Sequence, residues 1–167
     1  MGLLAWLEQT DFSVWLRESD WGQPILLCFH AVGMGLVVGI SLMFSARVLG
    51  YAKAFPLAAF DRLFGIAWFG FAMNAISGVL LFAAEPRRLM ETPAFLIKML
   101  LIVLAGFSLW VLGKTLQGFE AAAASGVAMP REDKVTANAK LAAIFPIVLW
   151  LGAILAGRLV GYTIPPP

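Results

Sequence analysis

The sequence predicts an all-α polytopic membrane protein with four transmembrane helices, and three features of the chain lead to this fold class. Of its 167 residues 61% are hydrophobic and only 13% charged, against roughly 45–50% and about 25% in soluble globular domains. The mean hydropathy is +0.88. The apolar residues fall into four runs near or above the ~18–20 residues that a bilayer-spanning helix needs. Lipid is therefore expected to be the main solvent of this chain.

Residues 1–20 are predicted to form an interfacial amphipathic segment, followed by a transmembrane bundle over residues 21–167. Acidic and polar residues interrupt the apolar ones in this segment too often for a span, which favours one or two short helices lying at the membrane surface. The segment is acidic, unlike the basic start of a cleavable signal peptide, so the first span is expected to direct insertion. The apolar positions are Leu4, Leu7, Phe12, Trp15 and Leu16.

Four spans are predicted from the uninterrupted apolar runs. Pro24 suits the first turn of the first helix, and the charged cluster 85–88 cannot continue the second helix into hydrocarbon. Pro146 lies inside the last run, where its ring is expected to kink the helix. The predicted spans run from Ile25 to Leu49, from Leu63 to Ala84, from Ala94 to Leu112 and from Leu141 to Val160.

The distribution of lysine and arginine predicts that both termini lie outside the cytoplasm, which is the periplasm for a bacterial inner-membrane protein. Positive residues are enriched on the cytoplasmic side of membrane proteins. The side holding both termini and the 85–93 loop carries Arg17, Arg87, Arg88, Lys98 and Arg158. The opposite side carries more, namely Arg47, Lys53, Arg62, Lys114, Arg131, Lys134 and Lys140.

Small residues recur at helical spacing on three of the spans. In lipid, helices associate through small residues that let the backbones approach closely. We expect these stripes to pack within one bundle rather than to form a dedicated dimer seam. They are Ala31, Gly35 and Gly39 on the first span, Gly70, Asn74 and Gly78 on the second, and Gly157 and Gly161 on the fourth.

The candidate functional residues are polar side chains at a similar depth in the four spans. His30 is the only histidine, and counting inward from the same face puts Ser77, Lys98 and Arg158 near its level. Met34 is one turn further along the His30 face, and Asn74 is one turn deeper than Ser77. Ionisable residues inside a membrane are costly, and therefore point to function.

One hypothesis is a prosthetic-group site in which the neutral imidazole of His30 is a metal ligand. The group would be haem b, with Arg158 and Lys98 near its propionates and Asn74 close by, or, less favoured, a copper ion bound by His30 and Met34. A second axial haem ligand would come from another copy of the chain or from a methionine, Met34 or Met73. The alternative is that His30 only hydrogen-bonds another helix and that no cofactor is bound.

A hypothesis of a different class is a non-catalytic subunit of a larger inner-membrane complex, or a homo-oligomer, whose partners are membrane lipids and other membrane subunits. A small transporter or copper-handling protein is the alternative, although inverted repeats and midplane charges typical of transporters are missing. An enzyme is less favoured, because no Asp or Glu lies within a span to complete a catalytic set with His30. No basic block interleaved with aromatic residues suggests nucleic-acid binding.

Short motifs along most of the chain resemble a family of small bacterial four-helix inner-membrane proteins. The first set surrounds the first span and comprises Trp21, Pro24, His30, Gly33, Gly39 and the run Arg47, Val48, Leu49, Gly50. Further motifs are 78–82 before Pro86, Pro93-Ala94-Phe95 before Lys98, and 149–152 through Gly157-Arg158 to Tyr162. The last three are also distantly similar to the copper-resistance D membrane proteins.

The resemblance implies a four-helix membrane fold in which His30 and Arg158 are the polar positions of interest. Where relatives carry an acid before the arginine that closes the first span, this chain has Ser45 and Ala46. The copper-resistance group has more spans and further histidines, so the resemblance does not by itself imply a copper role here.

Overall fold

The computed structural model describes residues 2–51, 59–124 and 137–163, and within these ranges the regular structure is entirely helical. The helices are α1 (Leu3–Glu8), α2 (Asp11–Glu18), α3 (Gly22–Val48), α4 (Ala59–Ala84), α5 (Pro86–Met90), α6 (Pro93–Ala124) and α7 (Ala137–Thr163). The predicted all-α fold class is confirmed. The connection between α6 and α7, residues 125–136, and the C-terminal residues 164–167 lie outside the described ranges.

Four of the described helices are long and apolar enough to cross a membrane, as the sequence predicted. Their apolar parts are Gly22–Val48, Arg62–Ala84, Pro93–Val111 and Ala143–Thr163. Each overlaps its predicted span, and the first begins three residues earlier than expected. The helix α7 continues through Pro146, so the proline does not end the helix, and the expected kink stays a prediction. The architecture is that of a multi-pass membrane protein.

The apolar core lies between α3, α4, α6 and α7, away from the end where α6 begins. Phe44 of α3 makes edge-to-face contacts with Phe60 and Phe64 of α4, with ring centroids 5.1 and 5.4 Å apart. Trp150 of α7 is buried, and its indole N–H donates to Ser41 Oγ at 3.1 Å. Because a buried indole N–H needs an acceptor, this bond fixes α7 against α3.

The N-terminal helices α1 and α2 cover the end of α4. Ser13 is fully buried and its hydroxyl lies 2.7 Å from the carbonyl oxygen of Ala83, while the Arg17 guanidinium donates to the carbonyl of Ala84 at 2.5 Å. The last carbonyls of a helix have no partner within the helix, and the Arg17 charge also complements the negative end of the helix dipole. The predicted surface segment is thus two helices attached to the bundle.

Ion pairs complete this end of the molecule. Glu8 of α1 pairs with Arg87 of α5, and Glu85 pairs with Arg88 at 2.8 Å. The N-terminal helices and the connection between α4 and α6 therefore share one end of the bundle, where α6 begins and α7 ends. We call it the outer end, following the predicted orientation.

Glycines bring α3 and α4 into backbone contact. A Cβ atom on Gly33 would lie 2.8 Å from both the backbone nitrogen of Asn74 and the backbone oxygen of Gly70. A Cβ atom on Gly70 would lie 2.7 Å from the Leu36 Cβ. The predicted α4 stripe of Gly70, Asn74 and Gly78 packs within the bundle as expected.

The expected packing of the α3 stripe within the bundle is wrong. Ala31, Gly35 and Gly39 are exposed, and no described atom lies within 4 Å of the Cβ positions of Gly35 and Gly39. The reason is geometric: Gly33 lies two residues from Gly35, about 200° round a helix of 3.6 residues per turn. Because Gly33 is the residue that meets α4, the stripe points away from it.

Candidate functional site

His30 lies at the outer part of the crossing between α3 and α4. Its Nδ1 is 3.0 Å from Ser77 Oγ, and its Cε1 is 3.2 Å from the Cβ position of Gly78. The imidazole is half-buried, whereas Ser77 is buried. A side chain at position 78 would press on the ring, so Gly78 makes the space in which the imidazole sits beside α4.

The hydrogen bonds of Ser77 favour one tautomer of the imidazole. The Ser77 hydroxyl lies 2.7 Å from the carbonyl oxygen of Met73 and 3.1 Å from that of Asn74. A hydroxyl has a single proton to donate. Because that proton is directed at the α4 backbone, the Ser77 oxygen is left to accept from the Nδ1–H of His30. The Nε2 atom then carries the lone pair that a metal or a hydrogen-bond donor could use.

Asn74 and Met34 were predicted to lie near a ligand at His30. In the described structure they contact other groups. The buried Asn74 amide donates to the backbone carbonyl of His30 at 2.8 Å, which joins α4 to α3. Met34 is half-buried and packs against the apolar core. A cofactor-binding role for either residue stays a prediction, and the geometry shows them stabilising the helix crossing and the core.

Lys98 reaches from α6 to α7. Its side chain runs across Gly157, with Cδ, Cε and Nζ at 3.5, 3.4 and 3.7 Å from the Cβ position of that glycine. Lys98 is half-buried, and its charge is close enough to interact electrostatically with the His30 imidazole. The structure therefore brings Lys98 to the expected layer, and the small residue at 157 is what admits its long stem.

Arg158 follows Gly157 on α7, and its side chain is exposed. Within the described part of the chain it makes no hydrogen bond or ion pair. It is five residues from the end of α7, and Lys98 is five residues from the start of α6. Since the two helices run in opposite directions, Lys98 and Arg158 lie a similar distance, ~7.5 Å along the helix axis, from the ends of α6 and α7 at the outer end of the bundle.

The described residues contain no group of three or more histidine, cysteine, aspartate or glutamate side chains that could hold a metal ion. Cys28 is exposed and lies about 200° round the helix from His30. A metal at His30 would therefore need ligands from a methionine, a cofactor or another chain. The predicted metal-binding role of His30 stays a prediction.

An apolar groove that the sequence analysis missed runs along the exposed sides of α3 and α4. It has a volume of about 300 Å³ and lies between Leu26 and Phe29 on one helix and Phe69, Met73 and Leu80 on the other. Sequence reasoning also missed Gly33 as the contact residue of α3. Glycines at both 33 and 35 offered two helix faces, and only the position of α4 decides between them.

Comparison of the chain with protein-family models, curated proteins and solved structures found no match. The resemblance to the four-helix inner-membrane family and to the copper-resistance D proteins stays a prediction. Function must therefore be argued from the geometry described above.

Proposed function

We propose that this chain is a non-catalytic membrane subunit that associates through α3, with a second copy of itself or with another subunit of a bacterial inner-membrane complex. The observation that carries the proposal is the uncovered face of α3, formed by Cys28, Ala31, Gly35 and Gly39. All four residues are exposed. At 3.6 residues per turn, positions 28, 35 and 39 lie within about 20° of one line along the helix.

A flat face of small residues is well suited to helix–helix contact in lipid. Large side chains fill the lipid-facing surface to either side, as at Leu27 and Phe29, and the exposed Val32 borders the small residues about 40° from the line of Cys28. Small residues instead allow a second backbone to approach, with van der Waals contact replacing the absent hydrophobic drive between helices. The opposite face of α3 is already occupied by α4 at Gly33, so the uncovered face is the one available to a partner.

The single cysteine supplies a direct test. A benzophenone maleimide can be attached to Cys28, the only thiol in the chain, and photolysed in native membranes. We expect a cross-linked product at twice the 18.1 kDa mass of the chain if the partner is a second copy, or at another defined mass if it is a different subunit. Cys28→Ser is the unlabelled control.

Moving the probe distinguishes an interface from random collision. In a Cys28→Ser background, Gly35→Cys should cross-link as efficiently as the native cysteine. Leu27→Cys and Phe29→Cys, about 100° to either side, should cross-link at least about tenfold less. Equal yields at all positions, or no product at any of them, would contradict the proposed interface.

A second candidate function is the holding of haem b by His30, and the specific support for it is the hydrogen bond between Nδ1 and Ser77. Ligating histidines typically donate their second ring N–H to a neighbouring acceptor, which fixes the ring and raises its basicity. With Nδ1 so engaged, Nε2 of His30 would be the axial ligand, and the haem would supply electron transfer. A second ligand would come from a partner chain or from Met73, because Met34 packs against the core.

The absorption spectrum of the purified protein, oxidised and then reduced, tests this second candidate. Bound haem gives a Soret band and sharp bands in the reduced state. His30→Ala should abolish these bands and Ser77→Ala should weaken them, whereas Cys28→Ser should leave them unchanged. A blank spectrum would exclude haem, and metal analysis showing no copper would then exclude the copper alternative.

A further inference from the structure

Lys98 is a charged side chain with no counter-ion inside a membrane-spanning helix. Within the described residues it makes no ion pair or hydrogen bond, and its stem is held across Gly157. The carboxylates of Glu8 and Glu85 at the same end are bound by Arg87 and Arg88. Ionisable groups in a span cost free energy unless they find a partner. The half-buried Lys98 therefore has no negative partner among the described residues.

Arg158 adds a second cation beside the first. It follows directly after Gly157, whose Cβ position lies 3.7 Å from Lys98 Nζ, and it lies ~7.5 Å along the helix axis from the end of α7, as Lys98 does from the start of α6. The two residues therefore come from adjacent positions on neighbouring antiparallel helices. Arginine can donate two parallel hydrogen bonds to a phosphate, and lysine provides a point charge with three donors. Together they form a site for an anion with several oxygens.

The surroundings of the pair indicate which anion can reach it. Ile97, Leu155 and Leu159 flank the two cations along α6 and α7, and all three are exposed apolar side chains. A free inorganic anion has no apolar part that could pack against these three side chains. A phospholipid would place its phosphate at the cations and its acyl chains against the flanking residues.

We propose that Lys98 and Arg158 together bind the phosphodiester of an anionic phospholipid headgroup at the outer end of α6 and α7. The headgroup neutralises the Lys98 ammonium, and Gly157 provides the gap through which Lys98 reaches the phosphate. The lipid is a structural ligand of this face. The proposal uses neither the Cys28 face nor the His30 ring, but it assigns Lys98 and Arg158 to a lipid phosphate, whereas the haem hypothesis placed them near the propionates.

Native mass spectrometry of the purified protein in mild detergent tests the proposal with two lipids of equal chain length. Dioleoylphosphatidylglycerol should bind at least about tenfold more tightly than dioleoylphosphatidylcholine, whose choline neutralises its own phosphate. Lys98→Gln and Arg158→Gln should each weaken phosphatidylglycerol binding about tenfold, equivalent to about 1.4 kcal/mol. The double variant should lose the preference for phosphatidylglycerol.

The control is Lys114→Gln, which removes one positive charge from an exposed lysine near the opposite end and should leave phosphatidylglycerol binding unchanged. Arg158→Gln alters no contact described for the fold, so we expect this variant to fold like wild type. His30→Ala should also bind phosphatidylglycerol normally, which separates this site from haem. The proposal is overturned if the double variant binds phosphatidylglycerol like wild type, if both lipids bind equally, or if millimolar inorganic phosphate displaces the lipid.

Discussion

Glycines lie both at the crossing of α3 with α4 and at the interface of α6 with α7. At the first they allow backbones to touch, and at the second they make room for side chains. At the first, Gly33 and Gly70 allow two backbones to touch, with the Cβ position of Gly33 only 2.8 Å from backbone atoms of α4. At the second, Gly157 and Gly152 receive the flexible side chains of Lys98 and Leu101, at 3.4 and 3.3 Å. One contact is rigid, whereas the other can adjust.

The difference indicates which of the two interfaces fixes a single arrangement of its helices. A backbone cannot move aside without disturbing a whole helix, so the α3–α4 crossing admits one arrangement only. Polar bonds reinforce it, from Asn74 to the His30 carbonyl and between the His30 ring and Ser77. The α6–α7 interface tolerates change, as expected where a lysine must reach a ligand. The loss in the free energy of unfolding should therefore depend on whether a new side chain contacts backbone atoms, a flexible side chain or open space.

Gly33→Ala should have the largest effect on folding. Its new methyl group would lie 2.8 Å from the backbone nitrogen of Asn74 and the backbone oxygen of Gly70. This distance is too short for a carbon atom and would force α3 and α4 apart. Overpacking of a close contact costs typically 1–3 kcal/mol and occasionally more. We expect a loss of about 3 kcal/mol in the free energy of unfolding, measured by titration with sodium dodecyl sulfate in mixed micelles. A loss below about 1 kcal/mol would mean that the crossing is not rigid.

The sequence alone predicts the spans well, because an uninterrupted apolar run has few alternatives to crossing the membrane. It also predicts the contact layer of α4, where Gly70, Asn74 and Gly78 recur every four residues on one face. It fails on α3, where glycines at 33 and 35 define opposite faces. Helical periodicity cannot choose between them, since the choice depends on the partner helix.

The candidate site is predictable to a similar extent. The depth of His30 and Ser77 follows from counting residues along helices of known rise, and the structure places the two in contact. The position of Lys98 across Gly157 could not be predicted, because it depends on which helices are neighbours. The use of the Asn74 amide on a backbone carbonyl likewise depends on the angle at which α3 and α4 cross.

Asn74→Ala should have the second largest effect. It removes the hydrogen bond to the His30 carbonyl at 2.8 Å and opens a small space in the buried crossing. Interhelical hydrogen bonds in membranes are worth roughly 0.6–2 kcal/mol. We expect the free energy of unfolding to fall by about 1–2 kcal/mol in the same titration. An unchanged value would contradict a stabilising role of the Asn74 amide at the crossing.

Gly157→Ala should have a smaller effect than either. The added methyl group meets Lys98 Cε at 3.4 Å, an ordinary contact with a flexible chain that can shift. Changes at sites without a rigid neighbour usually stay within about 0.5 kcal/mol. Gly157→Leu should instead displace Lys98 and weaken phosphatidylglycerol binding about tenfold with little loss of helix content. If Gly157→Ala destabilised the protein as much as Gly33→Ala, the contrast between the two interfaces would be wrong.

Gly35→Ala should have the smallest effect of all on folding, and it is the matched control for Gly33→Ala on the same helix. No described atom lies within 4 Å of the Cβ position at residue 35, and alanine favours helix over glycine by up to about 1 kcal/mol. The free energy of unfolding should therefore be unchanged or slightly raised. A larger side chain separates folding from association, because Gly35→Leu should leave the monomer folded while reducing photo-cross-linking from Cys28 at least about tenfold. Circular dichroism would establish that the helices are intact, and the cross-linking yield would measure the interface. A Gly35→Leu variant that still cross-links like wild type would place the partner on another face of the bundle.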